Sequence, residues 1–160
     1  MSTRFSGPLA QDMLDTIKAT LDDGFLFIFT GTVPADANDA LNMATTHTQL
    51  AKFTVADDGT TGLTFEVADD ALLAKTGIED WLATLAFDGF QDATPTLTPT
   101  FFRFVIPADT GRTLSTTAKR LQGTVGGPAS TADLKLATST LTEGNQVAVN
   151  SFNVRLNAIG

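Results

Sequence analysis

The sequence contains no cysteine and no tyrosine, and it has a single histidine, His47, and a single tryptophan, Trp81. The absence of cysteine excludes disulfides, thiolate nucleophiles and zinc–thiolate sites. One histidine cannot supply a transition-metal site built from several imidazoles. A chain without cysteine is also compatible with folding in a reducing cytoplasm.

Basic residues are few as well. Ten Lys and Arg stand against 18 Asp and Glu, which gives a formal net charge of -8 and a pI near 4.3. Binding to a phosphate backbone requires clustered basic side chains, and the only local basic group is Arg112, Lys119 and Arg120. We therefore expect neither nucleic acid nor an anionic membrane as a partner.

Long apolar runs are missing too. No stretch approaches the roughly 18 apolar residues that a transmembrane helix needs, and residues 1–8 lack the apolar core of a signal peptide. The 160 residues fit one domain, and twelve Phe supply a large apolar area for its core. Abundant Thr, Val and Phe favour strands.

The first segment has helical spacing. Pro8 suits a first helical turn, and Gly24 lies where a C-terminal cap would be expected. The spacing predicts a helix over about residues 8–22, within an N-terminal arm and helix (1–23) packed on or beside a β-domain (24–160). Its apolar stripe is predicted to consist of Leu9, Met13, Ile17 and Leu21, widened by Leu14.

Short apolar or alternating runs predict strands over most of the remaining chain. The run 25–31 is expected to be buried on both faces, one against the core and the other against the preceding helix. Residues 101–106 predict a central strand, and further strands are expected at 50–55, 63–67, 121–127 and 134–136. Gly59 and Gly144 mark turns. Residues 69–93 are compatible with either strands or a helical insertion.

The last strand changes phase. Val147 and Val149 are odd-numbered, whereas Phe152 and Val154 are even-numbered. Because side chains alternate strictly along a strand, this predicts a β-bulge near residues 150–151. The whole pattern predicts a mainly β fold, an antiparallel β-sandwich or jelly-roll-like single domain with an N-terminal α-helix.

No group of residues predicts catalysis. His47 lies in a polar run without a nucleophile-elbow motif, which favours a structural or solvated role. The adjacent carboxylates at 22–23, 57–58, 69–70 and 79–80 fit turns and helix ends better than a glycosidase or calcium site. The glycines of 123–127 lack the ending of a phosphate loop. We expect no enzyme activity, no cofactor and no metal.

Several segments, in order, resemble a family of small structural proteins of tailed-bacteriophage virions. These are an opening helix with a Phe-rich strand and Thr-Gly-Thr-Val-Pro turn (14–17 and 24–34), an aromatic-Arg strand (101–104) and the segments 50–51, 121–126, 132–136 and 146–152. The stretches 79–87 and 109–119 depart from the family pattern. The resemblance implies a head-decoration, cement or minor capsid protein.

This hypothesis implies a location on the capsid surface of the virion after synthesis in the host cytoplasm. The expected partners are the major capsid protein and further copies of the chain, as a trimer or dimer. We expect contacts from the N-terminal arm, the helix stripe and the polar excursion 109–119, through Arg4, Phe5, Leu9, Met13, Arg112, Lys119 and Arg120. The alternative is a tail or baseplate component with a receptor-binding role, against which the single Trp and absence of Tyr argue.

Overall fold

The computed structural model describes residues 5–68, 72–90, 96–155 and 158–159. Within these ranges one helix precedes a succession of mostly short strands. The helix is α1 (Gly7–Leu21), and the strands are β1 (Phe5–Ser6), β2 (Phe25–Thr30), β3 (Thr48–Val55), β4 (Phe65–Ala68), β5 (Leu72–Lys75), β6 (Trp81–Thr84), β7 (Asp88–Gly89), β8 (Thr96–Leu97), β9 (Phe101–Val105), β10 (Arg120–Gly126), β11 (Leu134–Leu136), β12 (Leu141–Thr142), β13 (Gln146–Arg155) and β14 (Ala158–Ile159).

The main sheet closes on itself. Strand β11 pairs with β10 on one side and with β13 on the other, which closes the circuit β9–β2–β3–β6–β13–β11–β10. Strands β5 and β4 extend outward from β13. The mainly β prediction is therefore confirmed, as one barrel-like or sandwich-like domain.

Among the described strands the pairing is antiparallel, as predicted, with two exceptions. Strand β10 runs parallel to β11, and β1 runs parallel to β14. Residues 127–133 turn back on themselves, with Ser130 N donating to Gly127 O at 3.0 Å, and bring Leu134 beside Val125. This local reversal allows a parallel pairing after a short connection.

Aromatic side chains fill the interior of the barrel. Phe65 meets Trp81 edge-on at a centroid distance of 5.6 Å and lies 4.5 Å from Phe104. Phe152 contacts both Phe65 and Phe102. Such contacts add specific geometry to the burial of large apolar area.

Helix α1 confirms the predicted helix and part of its apolar stripe, namely Leu14, Leu21 and the partly buried Ile17. Ser6 caps its first turn, accepting a hydrogen bond from Leu9 N at 3.4 Å. The buried positions are Ala10, Leu14 and Leu21, whereas Leu9 is 49% exposed. The inward face is centred one residue further along than predicted, because the small Ala10 lets the helix approach the core closely.

The predicted C-terminal cap of the helix, Gly24, was also wrong. Asp22 is the cap residue and Asp23 adopts the positive φ of 63°, so Gly24 is not the capping glycine. Gly24 instead allows a close approach between strands, since a β-carbon there would lie 2.3 Å from Val105 O.

Strand β2 is buried on both faces, as predicted, but the helix does not cover its second face. Leu26 and Ile28 join the same core as the buried face of α1. On the other face, Phe27 and Phe29 pack in a second cluster with Leu41, which follows the strand. The loop after β2 therefore covers this second face of the strand.

The remaining predictions concern two stretches of the chain. Between 69 and 93 the described residues form strands β5, β6 and β7 and no helix, while 69–71 and 91–93 lie outside the described residues. The predicted bulge is confirmed, because Lys135 pairs with Ser151 and Leu136 with Val149, which leaves Asn150 as the additional residue.

Candidate functional site

Two loops meet on the outer face of β2, β9 and β10. We call them together the loop platform: residues 31–47, between β2 and β3, and residues 106–119, between β9 and β10. They are joined directly by Leu41 N donating to Arg112 O at 2.7 Å and by Ser115 N donating to Asn38 O at 3.0 Å. The platform contains Arg112 and Lys119, and Arg120 follows it as the first residue of β10.

A fully buried arginine lies beneath the platform. Arg103 is 0% exposed in β9. Its guanidinium donates to the backbone oxygens of Asp39 (2.8 Å), Gly111 (2.5 Å) and Asp36 (3.2 Å) and to Oε1 of Gln122 (2.9 Å). One side chain thus binds both loops to the sheet.

The charge of this arginine is held without a direct carboxylate partner. Burial, together with the nearby positive charge of Arg120, lowers the pKa of Arg103 to about 10, against the opposing charges of Asp39, Asp109 and Asp36. The group is nonetheless charged at neutral pH. Because a buried cation requires hydrogen-bond acceptors, the loop carbonyls are fixed in the positions that satisfy it.

A second arginine locks the other end of the platform. Arg120 has a side chain only 1% exposed, and its Nε lies 2.5 Å from Oδ2 of Asp109. Its Nη1 donates to Ala37 O at 3.1 Å and to Thr113 O at 2.9 Å. This ion pair again connects both loops to the start of β10.

The surroundings of the Asp109 carboxylate lower its pKa. Burial on its own would raise the pKa of Asp109, but hydrogen bonds from Arg120 and from the Gly111 N–H, with the charge of Arg120, outweigh it. The net pKa lies below the ordinary 3.8. Bidentate contact between Arg120 and Asp109 is the strong form of such a pair.

His47 has a structural place in the same platform. It is 7% exposed, its Nδ1 accepts from Asn42 N at 3.0 Å, and its Nε2 lies 2.8 Å from Thr32 O. Since Nδ1 is an acceptor, Nε2 must carry the proton and donate to Thr32 O. Both ring nitrogens are occupied by backbone groups.

The basic residues of the platform differ in accessibility. Arg112 is part-exposed, pairs with Asp88 at 2.6 Å and donates to Oε1 of Gln49. Lys119 is exposed. Arg120 is internal, so its expected contact role reduces to holding the loops that carry the other two.

The predicted contacts of the N-terminal segment are also spread over different environments. Arg4 lies outside the described residues. Phe5 is half-buried in β1, beside β14, and packs against the main core. Leu9 is exposed on α1, and Met13 is half-buried there. The structure brings none of these to the platform through a contact between described residues.

Sequence reasoning missed the role of Arg103 and the most exposed apolar side chains. A charged residue inside the apolar run 101–106 was the available signal for a buried cation. The platform presents Leu114 at 69% exposure, and the loop between β5 and β6 presents Ile78 at 94%. Both are isolated apolar residues in polar turns, so they belong to no periodic apolar pattern.

The adjacent carboxylates act locally in turns. Hydrogen bonds from Thr61 lower the pKa of Asp58 to about 2, and the hydroxyl of Thr84 lowers that of Asp57. Glu79 accepts from Thr64 N at 3.0 Å and from Trp81 Nε1 at 3.3 Å. Across the described ranges, no three His, Asp or Glu side chains are grouped so that they could hold a metal ion.

The chain was also compared with known proteins. No family model, curated protein or solved structure matches it. No helix in the described part of the chain is both long and apolar enough to span a membrane. The geometry of the loop platform and the sequence resemblance are therefore the basis for a functional proposal.

Proposed function

We propose that the protein is a capsid decoration or cement protein of a tailed bacteriophage, which bridges major capsid subunits on the outside of the shell. The observation that carries this proposal is the loop platform, an outward-facing surface locked to the barrel by two buried arginines. The sequence resemblance supplies the class of particle. A jelly-roll relationship of the barrel is part of the proposal, because jelly rolls recur in viral capsid proteins.

A preorganised surface suits a protein that binds in many copies. Arg103 and Arg120 fix the loops before binding, so little loop entropy is lost on contact with a partner. Leu114, exposed at the surface of the platform, is available as an apolar anchor. Modest contacts of this kind gain strength when many copies bind a repeating lattice.

The charge and the closed sheet support the same role. A net charge of -8 favours solubility at high local concentration and disfavours a position against packaged DNA. The main sheet closes through β11 and so has fewer unpaired edges than an open sheet, and unpaired edges promote uncontrolled association. We propose a homo-oligomer, a trimer or dimer, as the form bound to the shell.

A receptor-binding role in the tail is less well supported. Carbohydrate sites commonly use exposed aromatic side chains with polar neighbours. Trp81 is fully buried in the barrel core and cannot stack on a sugar ring.

The proposal is tested by the composition of the particle. Quantitative mass spectrometry of purified virions is expected to give a copy number near that of the major capsid protein. A handful of copies per virion, or none, would reject the decoration role, and a small copy number confined to tails would favour the alternative.

A binding assay tests the platform directly. Leu114→Asp is expected to weaken binding to heads that lack the protein by about 10-fold, because it places a charge in an apolar contact. Thr131→Asp adds the same charge at an exposed position in the loop before β11 and is the matched control. Equal binding by the two variants would remove the platform from the proposal.

A further inference from the structure

The loop between β5 and β6, residues 76–80, holds an apolar side chain out into solvent. Ile78 is 94% exposed. The loop around it is held firmly: both carboxylate oxygens of Glu79 accept from Thr64, at 2.7 and 3.0 Å. Lys75 Nζ donates to Glu79 O at 2.6 Å. Ile78 is therefore a preorganised apolar knob.

A groove of complementary chemistry lies elsewhere on the same chain. It has a volume of about 350 Å³ between the C-terminal half of α1 and the start of β10. Ile17, Leu21 and Leu121 supply its apolar lining, and Thr20 and Lys119 line it as well. A volume of this size falls at the lower end of the range for ligand pockets, about 300–1,000 Å³.

The charges beside the knob and the groove are opposite. Asp80 is exposed two residues from Ile78, and Lys119 is exposed at the groove. The ion pairs of the described residues involve Lys18, Arg112 and Arg120 but not Lys119. On a chain with 18 acidic and ten basic residues, an exposed unpaired lysine beside an apolar groove selects an acidic partner segment.

We propose that the groove of one copy binds the β5–β6 loop of a second copy. Ile78 enters between α1 and β10, and Asp80 lies against Lys119. Because Ile78 is 94% exposed, it does not occupy the groove of its own chain. The occupant therefore comes from another molecule.

This contact joins two different surfaces, so it forms a reciprocal pair, a closed ring or an open filament, depending on the rotation between copies. A reciprocal pair or a ring fills every groove and leaves no knob free, and these are the forms that we propose. The inference goes beyond the capsid role and does not depend on it, since self-association can be measured on the purified protein alone.

Sedimentation equilibrium of the full-length protein tests the proposal. The wild-type chain is expected to form a dimer or trimer, and Ile78→Asp to weaken association by about 10-fold to 100-fold, through loss of the buried side chain. Thr131→Asp is the matched control, because it introduces the same residue at an exposed position that belongs to neither the groove lining nor the β5–β6 loop, and it should associate as wild type does.

A charge exchange separates the contact from any effect on folding. Asp80→Lys and Lys119→Glu should each weaken association, and the double variant should restore it toward the wild-type constant. Circular dichroism spectra of all variants are expected to be the same as wild type. A monomeric wild-type chain, association unchanged by Ile78→Asp, or a double variant no better than the singles would overturn the proposal.

Discussion

Replacing Arg103 with methionine removes the group that holds the loop platform to the barrel. Methionine keeps an unbranched apolar stem in the same buried position but has no donors. The change leaves Oε1 of Gln122 and the backbone oxygens of Asp36, Asp39 and Gly111 without their present hydrogen bonds from Arg103.

The magnitude follows from those four acceptors. Leaving one buried polar group unsatisfied costs about 1–3 kcal/mol, less where water can reach it. Three of the four hydrogen bonds are only part-buried, so water can offset part of that cost, and we expect the free energy of unfolding of Arg103→Met to fall by about 3–5 kcal/mol. Arg103→Lys keeps the charge but has three donors in place of the fork, and its loss should be smaller.

Urea unfolding measures this loss directly. Trp81 is the single tryptophan and is fully buried, so its fluorescence reports the barrel core. With an m value of about 2 kcal/mol per M, the midpoint of Arg103→Met should fall by about 2 M. Arg112→Met is the matched control: Arg112 is part-exposed and its partner Asp88 is exposed, so its loss should stay below about 1 kcal/mol.

Equal losses in the two variants would refute the reasoning. That result would mean that the four acceptors find other partners without cost and that Arg103 does not fix the platform. Limited trypsin digestion provides an independent readout, since the 106–119 loop, which carries trypsin sites at Arg112 and Lys119, should be cleaved faster in Arg103→Met than in wild type.

Three further predictions concern single groups. The hydroxyl of Thr76 is buried without a hydrogen-bond partner among the described residues, so Thr76→Val should leave the free energy of unfolding unchanged or raise it by about 1 kcal/mol. Thr54→Val removes the acceptor for Gly59 N and should lower the free energy of unfolding by a similar amount. Because the pKa of Asp109 is depressed in the folded state, the stability it contributes is present above its ordinary pKa of 3.8 and is lost as pH falls through the folded value. Acid unfolding followed by fluorescence should therefore show stability falling less steeply with pH in Asp109→Asn than in wild type, and an identical slope in the two proteins would contradict this. A β-carbon at Gly62 would lie 1.9 Å from the backbone oxygen of Asp23, so Gly62→Ala should lower the free energy of unfolding by about 1–3 kcal/mol. Gly77→Ala, where the added carbon meets no atom within 4 Å, should not lower it.

Sequence patterns predicted the strands of this fold well where one physical signal dominated. The continuous apolar runs of β2 and β9 indicated burial on both faces, and the phase change between Val149 and Phe152 located the bulge at Asn150. Alternation is a local property, so a single sequence records it directly.

The features that the sequence did not predict depend on contacts between distant segments. The inward face of α1 is centred on Ala10 and Leu14, and a pattern built on large residues alone gave Leu9 instead. The closure of the sheet through β11 rests on only two residue pairs with β10. The partner of Arg120, Asp109, lies eleven residues away, so only the fold reveals the ion pair between them.

The central proposal, a capsid decoration role, is best tested by imaging tailed-phage particles that were assembled in the presence of this chain. Cryo-electron microscopy is predicted to show the barrel repeated over the outer surface of the head, with the loop platform turned toward the major capsid protein. Density for the barrel only in the tail, on the inner face of the shell, or nowhere in the particle would contradict the account.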